Sequence, residues 1–219
     1  MKSRVKVIFV LFIFVFTVVF SNVSTVKKYE SRAESSYRYA KEYALQRDYI
    51  KSLVSYVESI TYYTLAYHVY IDELKDKNNF FRLSDIVLKL SIESDEINKK
   101  AFEQTKDNDK KNNILNIKSS NYLNIASTLQ KMYGVDYKIA TEKYEEFKKS
   151  LNVEDSIILG IAKYFAKSID IQLSLKDRMK AKEYFYQLNT YYNTLDNRIR
   201  DKYSVKEIVD FYRKKIDSY

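Results

Sequence analysis

Residues 49–75, YIKSLVSYVESITYYTLAYHVYIDELK, carry the clearest helical periodicity in the chain. Ile50, Leu53, Val57, Ile60, Thr64, Tyr67, Ile71 and Leu74 recur at alternating spacings of three and four. That is the repeat of a helical heptad seam, not the strict alternation of a strand. Immediately before four of these positions stands a tyrosine: Tyr49, Tyr56, Tyr63 and Tyr70 are spaced seven apart and widen the apolar stripe. The stretch predicts one long helix with a broad buried face.

Upstream, residues 27–45 carry Ala33, Tyr37, Ala40 and Ala44 on one helical face, and the three alanines are the expected floor for the large tyrosine rings. Downstream, helical spacing predicts helices near 84–106, 114–132, 136–150, 153–173, 175–202 and 205–216. Ser84, Asn152, Ser174 and Ser204 are the expected N-caps, and Asp155, Asp177 and Glu207 follow three of them at capping-box spacing. Loops are expected at 76–81, at 107–113 and at Gly134. With no proline and two glycines, the chain lacks the residues that tight hairpin turns and sandwich corners require. The fold class expected is all-α: residues 27–219 form a single domain, an antiparallel helical bundle or a stack of helical hairpins.

Residues 33–66, which read ESSYRYAKEYALQRDYIKSLVSYVESITYYTLA from Glu34 onward, resemble a helical hairpin of tetratricopeptide type. They are also similar in layout to an uncharacterised archaeal domain family. Ala40, Tyr43, Asp48, Tyr49, Ser52 and Leu53 carry the likeness. The 34-residue period does not repeat downstream, and the glycine and proline positions of a tetratricopeptide are missing. The resemblance implies a protein-binding or structural hairpin and no chemistry.

Residues 7–20, VIFVLFIFVFTVVF, follow the basic Lys2, Arg4 and Lys6 and contain Thr17 as their one polar side chain. Extended to Val26, the stretch gives about 20 residues, the length a bilayer core requires at the helical rise. Residues 1–26 are therefore expected to be a secretory signal, with a cut at Val19-Phe20-Ser21, or an uncleaved anchor. In either case the basic start places the N-terminus inside and the body outside the cytoplasm. The formal charge of +9 has the same origin in part. Lys2, Arg4, Lys6, Lys27 and Lys28 stand among 28 residues without an acid, and removing those five from 38 leaves 33 basic side chains against 29 acidic. In the body the two signs alternate as on a solvated helix surface, so no nucleic-acid partner is expected.

Chemistry is sparse. Without cysteine there is neither a disulfide nor a thiolate nucleophile. His68 is the single histidine, and Asp72 four residues later shares its helical face, but no further histidine or cysteine completes a metal set. Residues 107–113, DNDKKNN, begin like a calcium loop but place Lys111 at a ligand position and lack the glycine of the sharp turn. No catalytic residue, cofactor or metal ligand is nominated. After residue 28 the chain holds all 22 tyrosines but seven of the twelve phenylalanines, a bias toward half-buried rings and interfaces. The function expected is an exported or membrane-anchored scaffold that binds another protein or its own copy, with an extracytoplasmic enzyme using paired carboxylates as the alternative.

Overall fold

The computed structural model describes residues 23–148 and 156–218. They form α1 (Val23–Leu45), α2 (Tyr49–His68), a π-helical turn (Val69–Glu73), α3 (Lys77–Gln104), α4 (Asn108–Val135) and α5 (Tyr137–Phe147). After residue 156 come α6 (Ile157–Ser174), α7 (Arg178–Thr194), the short α8 (Asn197–Lys202) and α9 (Val205–Asp217). Among the described residues there is no strand. No described helix is long and apolar enough to cross a membrane. The segment read as a signal or anchor lies outside the described residues except for its last four, which form the first turn of α1, with Val26 fully buried in the core.

The hydrogen bonds fix the order of packing. Ser52 Oγ donates to the Ala40 carbonyl and Ser59 Oγ to the Ala33 carbonyl, each at 2.8 Å, so α1 and α2 run antiparallel. Between α2 and α3, Tyr67 meets the ring of Phe80 while Tyr56 reaches Glu93, again in opposite directions along the two helices. Asn98 Nδ2 donates to the Ile114 carbonyl at 3.0 Å, and Asn121 Nδ2 to Ser94 Oγ at 2.8 Å, which sets α3 against α4. Ser119 donates to the Ser168 carbonyl, and Gln172 to Asn116, which sets α4 against α6. Helix α7 packs on α6, and α9 closes over both through Tyr212 to Asp170 and Arg213 to Asn189. The result is a set of antiparallel neighbours: α1–α2, α2–α3, α3–α4 and α6–α7 are consecutive in the chain, whereas α4 packs most extensively on α6, across α5, and α9 on α7, across α8.

This order explains which faces are buried. A helix held between two others buries two strips, so α2 covers Ser52, Tyr56, Ser59, Tyr63 and Ala66 as well as Leu53, Ile60 and Tyr67. Of the expected heptad seam Leu53, Ile60 and Tyr67 are buried, but Ile50 and Leu74 are exposed and Val57, Thr64 and Ile71 only half-buried. The floor under α2 is likewise different from expectation. Ala33 and Ala40 are fully buried and Ala44 partly, yet serines, not tyrosines, seat directly on the Ala33 and Ala40 carbonyls. Every buried polar side chain among the described residues is uncharged, and most are serine, whose small size lets helix backbones approach.

The boundaries depart from the sequence reading because aspartate, not serine, caps most helices. Asp48, Asp76, Asp107, Asp136, Asp177 and Asp196 each accept backbone N–H groups of the helix that follows. Ser156 does the same for α6. Ser84 is instead buried within α3 with its hydroxyl on the Phe80 carbonyl, and Ser174 ends α6 with its hydroxyl on Ile171. Ser204 precedes α9 but makes no cap bond, and Asn152 lies outside the described residues. Asp76 and Asp107 thus start α3 and α4 earlier than expected, converting most of 76–81 and 107–113 into helix. Gly134 is helical, and the break falls one residue later than Val135, at Asp136. The expected helix 175–202 is interrupted at 175–177 and at 195–196.

Two of these turns share a construction. Arg47 and Lys176 hold left-handed backbone, with φ of 59° each. Asp48 N–H then bonds back to Tyr43 and Arg47 N–H to Ala44, while Asp177 N–H bonds to Gln172 and Lys176 N–H to Leu173. This is the Schellman pattern, with a basic residue where glycine is usual. The aspartate that completes it is also the N-cap of the next helix, so a basic–Asp pair ends one helix and starts another.

Candidate functional site

Tyr49, Tyr56 and Tyr63 of α2, with Tyr70 of the π-helical turn, lie where α1 and α3 flank them. Tyr56 is 2% exposed and Tyr63 6%, whereas Tyr49 and Tyr70 at the ends of the row are half-buried. The hydroxyl groups of Tyr56 and Tyr70 reach carboxylates. Glu93 of α3 accepts from Tyr56 at 2.9 Å, from Tyr37 of α1 at 3.2 Å and from the Lys41 ammonium at 2.9 Å. Glu30 of α1 accepts from Tyr70 and from Arg82 of α3, both at 2.8 Å. Burial, reinforced by Glu93, holds the Tyr56 phenol well above its ordinary value; burial with the charges of Glu34 and Glu30 pushes Tyr63 up to about 12. These phenols therefore stay protonated donors at neutral pH. Burial opposes the charge on Lys41, but its bonds to Glu93 and Tyr37 outweigh it and raise the ammonium above its usual range.

Each carboxylate thus accepts from two or more donors on neighbouring helices. A catalytic acid or base needs an accessible lone pair or proton near substrate, and these groups instead tie three helices together. Sequence reasoning identified the tyrosine row but named neither Glu93 nor Glu30. The signal available was that buried tyrosines need acceptors, which does not say which of 29 acids supplies them.

His68 and Asp72 meet as their spacing requires, with Nδ1 and Oδ2 3.0 Å apart, and Asp72 Oδ1 also accepts from Lys131 of α4 at 2.8 Å. The pair therefore fastens the end of α2 to α4. Asp107 spends its carboxylate on the N–H groups of Asp109 and Lys110. Among the described residues no three His, Asp or Glu side chains converge as metal ligands would.

Two shallow, polar clefts lie on the surface of the described residues. The larger, about 280 Å³, lies between α1 and α2 and is lined by Ser31, Arg32, Ser35, Ser36, Glu58 and Tyr62. The second, about 180 Å³, is lined by Ser35, Arg38, Tyr39 and Glu42. Each presents a single carboxylate. Ligand sites bury most of a small molecule in an apolar cavity with a few converging polar groups, which neither cleft offers. In comparisons with protein-family models, curated proteins and solved structures, this chain matches none.

Proposed function

We propose that this chain is an exported or membrane-anchored helical scaffold whose body binds another protein or a second copy of itself. The observation that carries the reading is the contrast between an extensive helical surface and clefts that are shallow, polar and lined by one carboxylate each. Antiparallel helices stacked in series give long side surfaces, the form in which helical repeats present themselves to protein partners. The likeness of residues 33–66 to a tetratricopeptide hairpin supports the same class of role. Residues 1–26 supply the export or anchoring half of the proposal through their basic start and apolar run.

Two measurements test it. A reporter that is active only outside the cytoplasm, fused after Tyr219, is expected to work; activity of a cytoplasm-specific reporter in its place would overturn export. The chain, affinity-captured from its native membrane fraction, is expected to retain a protein at near-stoichiometric amount or to sediment as an oligomer. A monomer that captures nothing would overturn the scaffold reading.

A further inference from the structure

Antiparallel packing sorts the helix ends into two groups. At one end lie the start of α1, the end of α2, the start of α3 and the end of α4. Side chains hold them there: Glu30 near the start of α1 joins Tyr70 and Arg82, and Asp72 joins Lys131. Exposed at this end are Leu74 at 36% and Tyr137 at 58%. Lys75, Lys77 and Lys138 are exposed beside them. The nearby Asp76 and Asp136 are occupied in capping, and Asp72 in its pair with Lys131. At the opposite end lie the α1–α2 and α6–α7 turns with exposed Leu45 and Met179.

The apolar run enters the body at the first of these ends. Phe20 and Val23 are separated by Ser21 and Asn22, a reach of at most about 11 Å at 3.8 Å per step. No slack follows, because Val23 already belongs to α1 and Val26, one turn on, is fully buried. Fourteen residues reach about 21 Å at the helical rise, less than the roughly 30 Å of a bilayer core, so a bilayer anchored by residues 7–20 is drawn close against this end. The side chains there suit that position: tyrosine with its apolar ring and polar tip settles at headgroup depth, and lysines reach toward lipid phosphates.

We infer that, in the anchored chain, the body stands on the bilayer by the end that carries Leu74 and Tyr137, with Lys75, Lys77 and Lys138 at the lipid headgroups. The opposite end, with Leu45 and Met179, points away from the membrane and is left open to partners. This rests on the anchored form of the function proposed above.

The absence of cysteine makes the test direct, since one introduced cysteine gives one label. Full-length L74C, Y137C, L45C and M179C variants are labelled with a fluorophore and reconstituted into vesicles of phosphatidylcholine and phosphatidylglycerol. A quencher is carried on the lipid headgroup. All four side chains are exposed, so each variant is expected to melt as wild type does. Labels at 74 and 137 should be quenched several-fold more than those at 45 and 179. α2 alone spans about 30 Å at the helical rise, which puts the far labels beyond the quencher's reach. Equal quenching at both ends, or the reverse order, overturns the orientation while leaving anchoring intact. Labels at 74 and 137 shielded from a soluble quencher without headgroup quenching would mean that a second copy or another protein covers this end, which also overturns it. A chain that does not float with vesicles after an alkaline wash removes the anchored reading itself.

Discussion

Ser59 of α2 donates its hydroxyl to the carbonyl of Ala33 of α1 at 2.8 Å, and both residues are fully buried. With Ser52 on the Ala40 carbonyl, it holds the two helices close. Ser59→Leu is expected to destabilise the body by about 1–3 kcal/mol, the range for overpacking a tight interface. Ser59→Ala should cost less, about 1 kcal/mol, because it removes a hydrogen bond without adding volume. Denaturant melts of the two variants beside wild type decide the matter. A leucine variant as stable as the alanine variant would show that the helices are not held this close.

Tyr56 combines a buried ring with a bond to the carboxylate of Glu93. Tyr56→Phe keeps the ring and loses the bond, at an expected cost of about 1 kcal/mol because Glu93 is partly solvated. Tyr56→Ala removes the ring and should cost about 3–5 kcal/mol. Equal midpoints for wild type and the alanine variant would mean that the row is a recognition surface and not core.

The all-helical class was legible because the spacing of apolar residues over 49–75 and the lack of proline point the same way. The helix ends were less legible. Ser84 and Ser174 have good cap chemistry, but serine is also small, and here it is used for close packing and for bonds to carbonyls of its own helix. The actual caps are aspartates preceded by a basic residue at positions 48, 76 and 177, a pair that in this charged sequence looks like ordinary surface. Which half of the seam in α2 is buried depends on α1 and α3 pressing from two sides, which no local pattern carries. Glu93 and Glu30 stayed hidden for the same reason, since their donors lie between 37 and 56 residues away.

The two glycines should respond to alanine with opposite signs. A Cβ on Gly160 would stand 2.8 Å from Cζ of Tyr144 and closer still to its hydroxyl oxygen, and the ring is fully buried between α5 and α6. Gly160→Ala is therefore expected to destabilise by about 1–3 kcal/mol. Gly134 is helical with nothing within 4 Å of its added Cβ, so Gly134→Ala should gain about 0.5–1 kcal/mol. Thermal midpoints moving in the same direction would contradict these packing assignments.

Acid should weaken the fold partly through the caps. Lys51 beside Asp48, and the Asn79 backbone and side chain beside Asp76, hold both carboxyls below their usual value. A carboxyl lowered in the folded state contributes stability that is complete above its unfolded value, about 3.9, and is lost as pH falls through the folded one. Asp76→Asn retains an acceptor for Asn79 N–H but does not titrate. The midpoint of this variant is expected to fall less than that of wild type between about pH 5 and pH 2. Parallel curves would remove Asp76 from the acid response.

Arg47 and Lys176 offer the last test, because left-handed backbone costs a residue with a side chain about 1–2 kcal/mol. Glycine is free of that cost but loses more chain entropy on folding, about 0.5–1 kcal/mol. Replacing Arg47 also forgoes a cation at the end of α1, where it complements the helix dipole by a few tenths of a kcal/mol. The balance favours glycine, so Arg47→Gly and Lys176→Gly are each expected to raise stability slightly, by about 0.5 kcal/mol. Arg47→Val should lower it by about 1 kcal/mol or more, since a β-branched side chain tolerates this conformation worst. Asp48→Ala, which removes the cap of α2 beside the same turn, should cost about 1 kcal/mol. Chemical melts of the four variants give the ordering directly. Glycine variants less stable than wild type at both turns would show that the basic side chains, and not the backbone they occupy, hold these hairpins together.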